Sequence, residues 1–185
     1  MLAPLVRPLG LLAVAGLTVG CGTGSSSSGT FQPSGSLADP ASPSTGPTGP
    51  GALPTEQVDA QVLKRYAAYQ KAYKTAYETN DPSGLSAVAT DPLLTTVTRD
   101  VERTRAKGEI WRFVNISNAR VYARSKDGLT VYVVDCMRTL AGYRFSARTG
   151  ERTGGGTGGS HQYRTALKYD AGTWKVSDTK RDKPC

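Results

Sequence analysis

The chain has 185 residues and a formal net charge of +8, enough for one domain of ordinary size with extra segments attached. One histidine and three cysteines leave too few ligands for a His/Cys metal site. The basic residues are scattered rather than gathered in a long block, so they read first as a solvated surface; outside a cell such a surface also favours lipid headgroups, cell-wall polymers and nucleic acid.

In chain order, residues 1–20 carry a single charge, Arg7, and an apolar run from Leu9 to Val19. The run is shorter than the about 20 apolar residues of a membrane span and has the layout of a secretory signal. Leu17-Thr18-Val19-Gly20-Cys21 resembles the lipobox of bacterial lipoproteins, in which a small residue precedes a cysteine that is acylated and becomes the new N-terminus. Thr18 stands where the usual motif has leucine. An ordinary leader cut after Ala13-Val14-Ala15 is the alternative. The resemblance implies a signal peptide over 1–20, a lipidated Cys21, and an extracytoplasmic protein anchored to the cell membrane through it. Several acyl chains hold such an anchor firmly where one would not. The following segment, to residue 55, is Gly, Ser, Thr and Pro with few large apolar residues. It cannot bury enough surface to offset its ordering entropy, so 21–55 reads as a disordered linker, a tether of about 30 Å root-mean-square span.

Thr55 is a candidate cap for a helix whose apolar stripe is Val58, Val62, Tyr66, Tyr69, Tyr73 and Tyr77. Four tyrosines on one stripe read as a core face with hydroxyls at its rim, and alternatively as a binding surface. Asn80-Asp81-Pro82 ends the helix, and Leu85–Ala89 reads as a short helical turn. Asp91-Pro92 starts a second helix through Leu94, Val97 and Val101, which Gly108 stops. From Glu109 the period changes to alternation. Trp111 and Phe113 oppose Arg112 and Val114, and Ala119, Val121 and Ala123 oppose Arg120, Tyr122 and Arg124. After the Lys126-Asp127-Gly128 turn, Leu129–Arg138 is the longest β-branched run. Val131, Val133, Asp135 and Met137 lie on one side, Tyr132, Val134 and Cys136 on the other, which predicts a central strand covered on both faces. Tyr143–Ala147 reads as a further strand. Thr149–Ser160 reads as a flexible glycine-rich hairpin loop, since it lacks the Gly-Lys-Ser/Thr ending and the following helix of a phosphate loop. His161–Tyr169 and Thr173–Ser177 complete a meander about Asp170-Ala171-Gly172. Helices followed by strands predict an α+β domain over 56–185, its N-terminal helices packed on one face of a curved antiparallel sheet whose concave side can hold a pocket.

Helices before a curved meander that closes with Asp-Ala-Gly-Thr-Trp174-Lys-Val176-Ser resemble the NTF2-like (SnoaL/cystatin-like) superfamily. The chain as a whole resembles small secreted lipoproteins of actinobacteria that carry such a domain, with Val134-Asp135-Cys136 and the final Cys185 as matching features. With Cys21 lipidated, Cys136 and Cys185 are left to pair in an oxidising compartment; one buried and one exposed free thiol is the alternative. Enzymes of the superfamily hold an acid or base among tyrosines in the cavity. The candidates for such isomerase or lyase chemistry are Asp135, as general base, with Tyr143, His161 and Tyr163. The plainer expectation is that Asp135 pairs with Arg138 or Arg164 and that His161 ends a strand beside a loop. No cofactor or metal is expected, and Arg120, Tyr122 and Arg124 read as a solvent face rather than a nucleic-acid platform. The function expected is a non-catalytic domain held at the membrane by Cys21, binding an envelope protein or a small hydrophobic molecule, with self-association open. An enzyme acting on a small hydrophobic substrate and a module touching anionic cell-wall polymer are the alternatives.

Overall fold

The computed structural model describes residues 49–185. The expected signal peptide, Cys21 and the linker up to residue 48 lie outside them. Within the expected linker, Pro50–Ala52 form a 3-10 turn and Thr55 is already helical.

Helix α1 runs Thr55–Thr79 and buries the expected stripe of Val58, Val62, Tyr66, Tyr69 and Tyr77. Thr55 does not cap it: Pro54 holds the N-cap position, and its carbonyl accepts the Gln57 and Val58 amides at 3.0 and 3.1 Å. Asn80 stops the helix in the left-handed conformation (φ 55°), which asparagine tolerates, and its Nδ2 donates to the Glu109 carbonyl at 2.8 Å. A 3-10 turn, Ser83–Ala87, follows, and the chain next touches the sheet where Ala89 bridges Val176. Helix α2, Leu93–Ala106, begins one residue past the expected proline. Asp91 caps it from outside, its Oδ1 accepting the Thr95 amide at 3.1 Å. Leu93, Val97 and Val101 are its buried face.

Six antiparallel strands follow: β1 (Glu109–Ile116), β2 (Ala119–Arg124), β3 (Thr130–Ser146), β4 (Arg152–Thr157), β5 (Ser160–Asp170) and β6 (Thr173–Pro184). β3 is the axis. Its first half lies between β2 and β5, its second half between β1 and β4, and β6 flanks β5. Bulges in four of these five ladders bend and twist the sheet.

Three expectations are corrected here. Tyr143–Ser146 is not a strand of its own but the end of β3. Leu140 bulges opposite Val114 and Asn115, so the chain passes Gly142 without turning. The glycine-rich segment is not simply a loop, because Arg152–Thr157 pairs with β3 as β4. Here glycine gives close approach: at Gly155 (φ +92°) an added Cβ would fall 2.1 Å from the Gly142 carbonyl oxygen. Gly155→Ala is therefore expected to detach β4, at a cost of about 1–3 kcal/mol, with amide protection lost at Gly154 and Gly156 in hydrogen exchange but kept along β5. Third, β3 is not a strand covered on both faces, because among the described residues both helices pack on the same face of the sheet, as expected. Val131, Val133, Asp135 and Met137 are buried there, whereas on the opposite face Tyr132 and Cys136 are half-exposed and Val134 alone is buried. The core formed by the helices and that face lies wholly within residues Val58–Val176, so 49–185 carries its own core.

Candidate functional site

Beyond its core contacts the α1 stripe meets a gap. Tyr69, Tyr73 and Tyr77 stack along the helix with ring centroids 5.9 and 4.8 Å apart. β1 turns Trp111 and Phe113 to the same side, 6.3 Å from Tyr77 and 5.9 Å from Tyr73 respectively. α2 closes another wall with Val97, Asp100 and Arg103, and the sheet forms the floor with Met137, Thr139, Gly142, Tyr163 and Thr179. The cleft so enclosed has a volume of about 510 Å³, within the range of sites for small molecules. Its walls are mostly aromatic and aliphatic. Gly142 keeps the floor open, and a Cβ there would meet only Phe113 Cβ, at 3.8 Å.

One polar cluster sits at the cleft. Tyr77 Oη donates to Asp100 Oδ2 in a short hydrogen bond, and Arg103 Nη2 donates to Asp100 Oδ1 at 2.7 Å. The Tyr77 hydroxyl is the main cause holding the Asp100 carboxyl below its ordinary pKa, with Arg103 adding to it. Burial pushes the phenols of Tyr69, Tyr73 and Tyr77 above the usual tyrosine value. At neutral pH the cleft therefore presents neutral phenols beside an ionised carboxylate whose best acceptor positions are already used. Among the described residues Asp100 is the one carboxylate and Arg103 the one cation lining the cleft, and no histidine, cysteine or serine joins them.

The lowered carboxyl gives a pH dependence of definite sign. A depressed folded-state pKa contributes stability above the unfolded value of about 3.9, and that stability is lost as pH falls through the folded value. Tyr77→Phe removes the principal cause, so its cost in hydroxyl–carboxylate bonding should be present at pH 7 and vanish in strong acid. Because the Asp100 side chain is 46 % exposed, the pH-dependent part should stay within about 1 kcal/mol. Urea titrations of both proteins across acid pH check this.

The sequence-derived candidates scatter around this cleft. Tyr163 lines it. Asp135 is 1 % exposed and does not line it, and its expected pairing with Arg138 or Arg164 is not formed. Its carboxylate instead accepts from Tyr66 Oη at 2.9 Å, Ser117 Oγ at 2.7 Å and the Asn118 amide at 2.6 Å, while Arg164 pairs with Asp182. Three neutral donors satisfy the acid, so no cation is drawn in. Tyr143 points to the opposite face of the sheet, beneath the Arg152 guanidinium at 4.0 Å. His161 lies at the start of β5 against Arg181, whose Nη2 is 2.6 Å from Nε2. Asp135, Tyr143 and His161 are thus not brought together. Cys136 and Cys185 are: they form a disulfide with Cα atoms 6.0 Å apart. Among the described residues no group of His, Cys, Asp and Glu is placed to hold a metal ion. Asp100 and Arg103 were not among the candidates. Their only signal is an i,i+3 charge pair that begins beside Val101 on the flank of the α2 stripe.

No protein-family model matches the chain, and no curated protein matches it. Solved structures do. The intermembrane-space region of the chloroplast protein ARC6 is similar at 14 % identity and a TM-score of 0.57, over 66 % of this chain and 95 % of that one. An NTF2-like protein from Cytophaga hutchinsonii is similar at 17 % identity and a TM-score of 0.43, over 70 % and 98 %. A protein of cystatin-like fold from Caulobacter vibrioides is similar at 16 % identity and a TM-score of 0.40, over 66 % and 91 %. At these identities the likeness is one of fold alone. Two helices laid on one face of a bent, unclosed antiparallel sheet are the α+β arrangement expected from the sequence.

Proposed function

We propose that this NTF2-like domain is a non-catalytic binding module that takes a small, flat, largely apolar molecule in the aromatic cleft. It would work outside the cytoplasm, tethered to the membrane by a lipidated Cys21. The observation that carries the binding reading is the cleft itself: about 510 Å³ walled by Tyr69, Tyr73, Tyr77, Trp111 and Phe113, with its one carboxylate engaged by Tyr77 and Arg103. Aromatic walls supply large contact area with ring-stacking geometry, and the Arg103 guanidinium, held by Asp100, offers its remaining N–H donors to fix orientation. The lipobox-like Leu17–Cys21 supports the anchor.

Binding is tested with 2-naphthol as probe, titrated into residues 49–185 while the Trp111 indole N–H and the Met137 methyl are followed by NMR. Shifts that saturate and centre on these groups are expected, and Gly142→Leu, which fills the floor without backbone strain, should abolish them. Shifts that are absent, or unchanged in Gly142→Leu, would reject the cleft as the site. The anchor is tested separately: palmitate labelling of the full chain should be lost in Cys21→Ser, and a variant that still labels would reject it.

A further inference from the structure

The opposite face of the sheet carries a second surface, where β1, β4 and the second half of β3 extend past the helices. There the strands alternate away from the cleft-lining Trp111, Phe113 and Gly142, so Arg112, Val114 and Ile116 of β1 share a face with Arg138, Tyr143 and Phe145 of β3. Val114 and Ile116 are each 50 % exposed and Leu140, in the bulge, 40 %. Val114 and Ile116 make an apolar patch, with Leu140 in the bulge beside them, on a strand pair whose outer edge is unpaired among the described residues. Around it lie three arginines, two of them held on aromatic rings. Arg112 stacks on Phe145 at 4.9 Å, Arg152 stacks on Tyr143 at 4.0 Å, and Arg138 is the register partner of Ile116. Among the described residues none of these three arginines forms an ion pair, while Arg103, Arg124 and Arg164 all do. No acidic residue occurs on this face of β1 or β4 or along β3 beyond Asp135.

The geometry points to the surface of an anionic lipid bilayer as the occupant of this face: Val114, Ile116 and Leu140 enter the interface while Arg112, Arg138 and Arg152 meet headgroup phosphates. Arg112, stacked on Phe145, keeps its N–H edge free for oxyanions; Arg152, stacked on Tyr143, gives one Nη2 N–H to the Gly155 carbonyl at 3.0 Å and keeps the others, and planar donors suit phosphate. A second copy of the chain fits poorly, because a two-fold contact would bring these arginines together with no carboxylate between them. A soluble anionic polymer would use the arginines but leave the apolar residues exposed. This inference does not depend on Cys21 or on the cleft.

Residues 49–185, which lack Cys21, are floated with vesicles of pure phosphatidylcholine and with vesicles of equal parts phosphatidylcholine and phosphatidylglycerol. Binding to the anionic vesicles alone, falling steeply with salt, is expected. At about one kcal/mol per basic residue near such a surface, the triple variant Arg112→Gln, Arg138→Gln, Arg152→Gln should bind on the order of 100-fold more weakly. The triple variant Val114→Ser, Ile116→Ser, Leu140→Ser should lose vesicle binding and keep any binding to heparin. Circular dichroism and the melting midpoint confirm that both remain folded, as expected for exposed positions. Equal binding to both vesicle types, no binding to either, or serine substitutions without effect on the anionic vesicles would overturn the inference. The last outcome assigns the face to soluble polyanions. Dimerisation that the serine variant abolishes, without vesicle binding, assigns it to a second copy.

Discussion

Asp135→Ala should destabilise the domain by about 3–5 kcal/mol. The carboxylate joins three elements at one buried point: α1 through Tyr66, the turn between β1 and β2 through Ser117 and Asn118, and β3 itself. It is 1 % exposed, so alanine would strand three donors away from water. Burial first, and then Asp135, push the Tyr66 phenol far above its ordinary pKa, which keeps it a neutral donor at every pH of interest. Asp135→Asn should cost about 2 kcal/mol, because an amide still accepts on one oxygen but turns a donor toward another. Urea unfolding with unchanged m-values checks both. An Asn variant more stable than the parent would point the other way, since acids held for catalysis commonly cost stability.

Breaking the Cys136–Cys185 bridge should have an effect of similar size by a different route. The bond closes a loop of sequence separation 49. In the chain-entropy model such a closure contributes about 4 kcal/mol, mainly by restricting the unfolded chain. For a domain of this size that corresponds to a melting midpoint lower by roughly 15 °C in Cys185→Ser or under reducing conditions. The loss should also be local. The bridge fastens the end of β6 to β3 across β5, so amides from Lys180 to Lys183 should exchange first once it is cut, while those around Val176 stay protected. A midpoint unmoved by reduction would show that β5–β6 pairing alone holds the tail.

The helices and the first half of β3 were legible because their patterns are local. Val58 to Tyr77 repeats at helical spacing, and Val131 to Met137 alternates with β-branched residues. The second half of β3 was not, since Gly142 and the Leu140 bulge look like a break and only the ladders to β1 and β4 show that the strand continues. The glycines of β4 carry no strand propensity. They pair because a chain without Cβ can lie against Gly142 and Tyr143. The same reason limited the site. The tyrosine stripe was visible, but which of its rings face the core and which the cleft depends on where Trp111 and Phe113 cross α1. Asp100, one charge among several on α2, becomes part of a site only when Tyr77 reaches it. Asp135 drew attention as an acid on an apolar strand, and the donors from Ser117 and Asn118 that explain it lie in a turn with no pattern of its own.

Native mass spectrometry of the chain exported through an oxidising compartment tests the central claim, a cleft that binds without reacting. The expected result is a domain carrying one small molecule that collisional activation releases chemically unchanged on prolonged incubation, with the adduct missing from Gly142→Leu. A bare mass in both proteins, or a released molecule converted over time to a product, would contradict it.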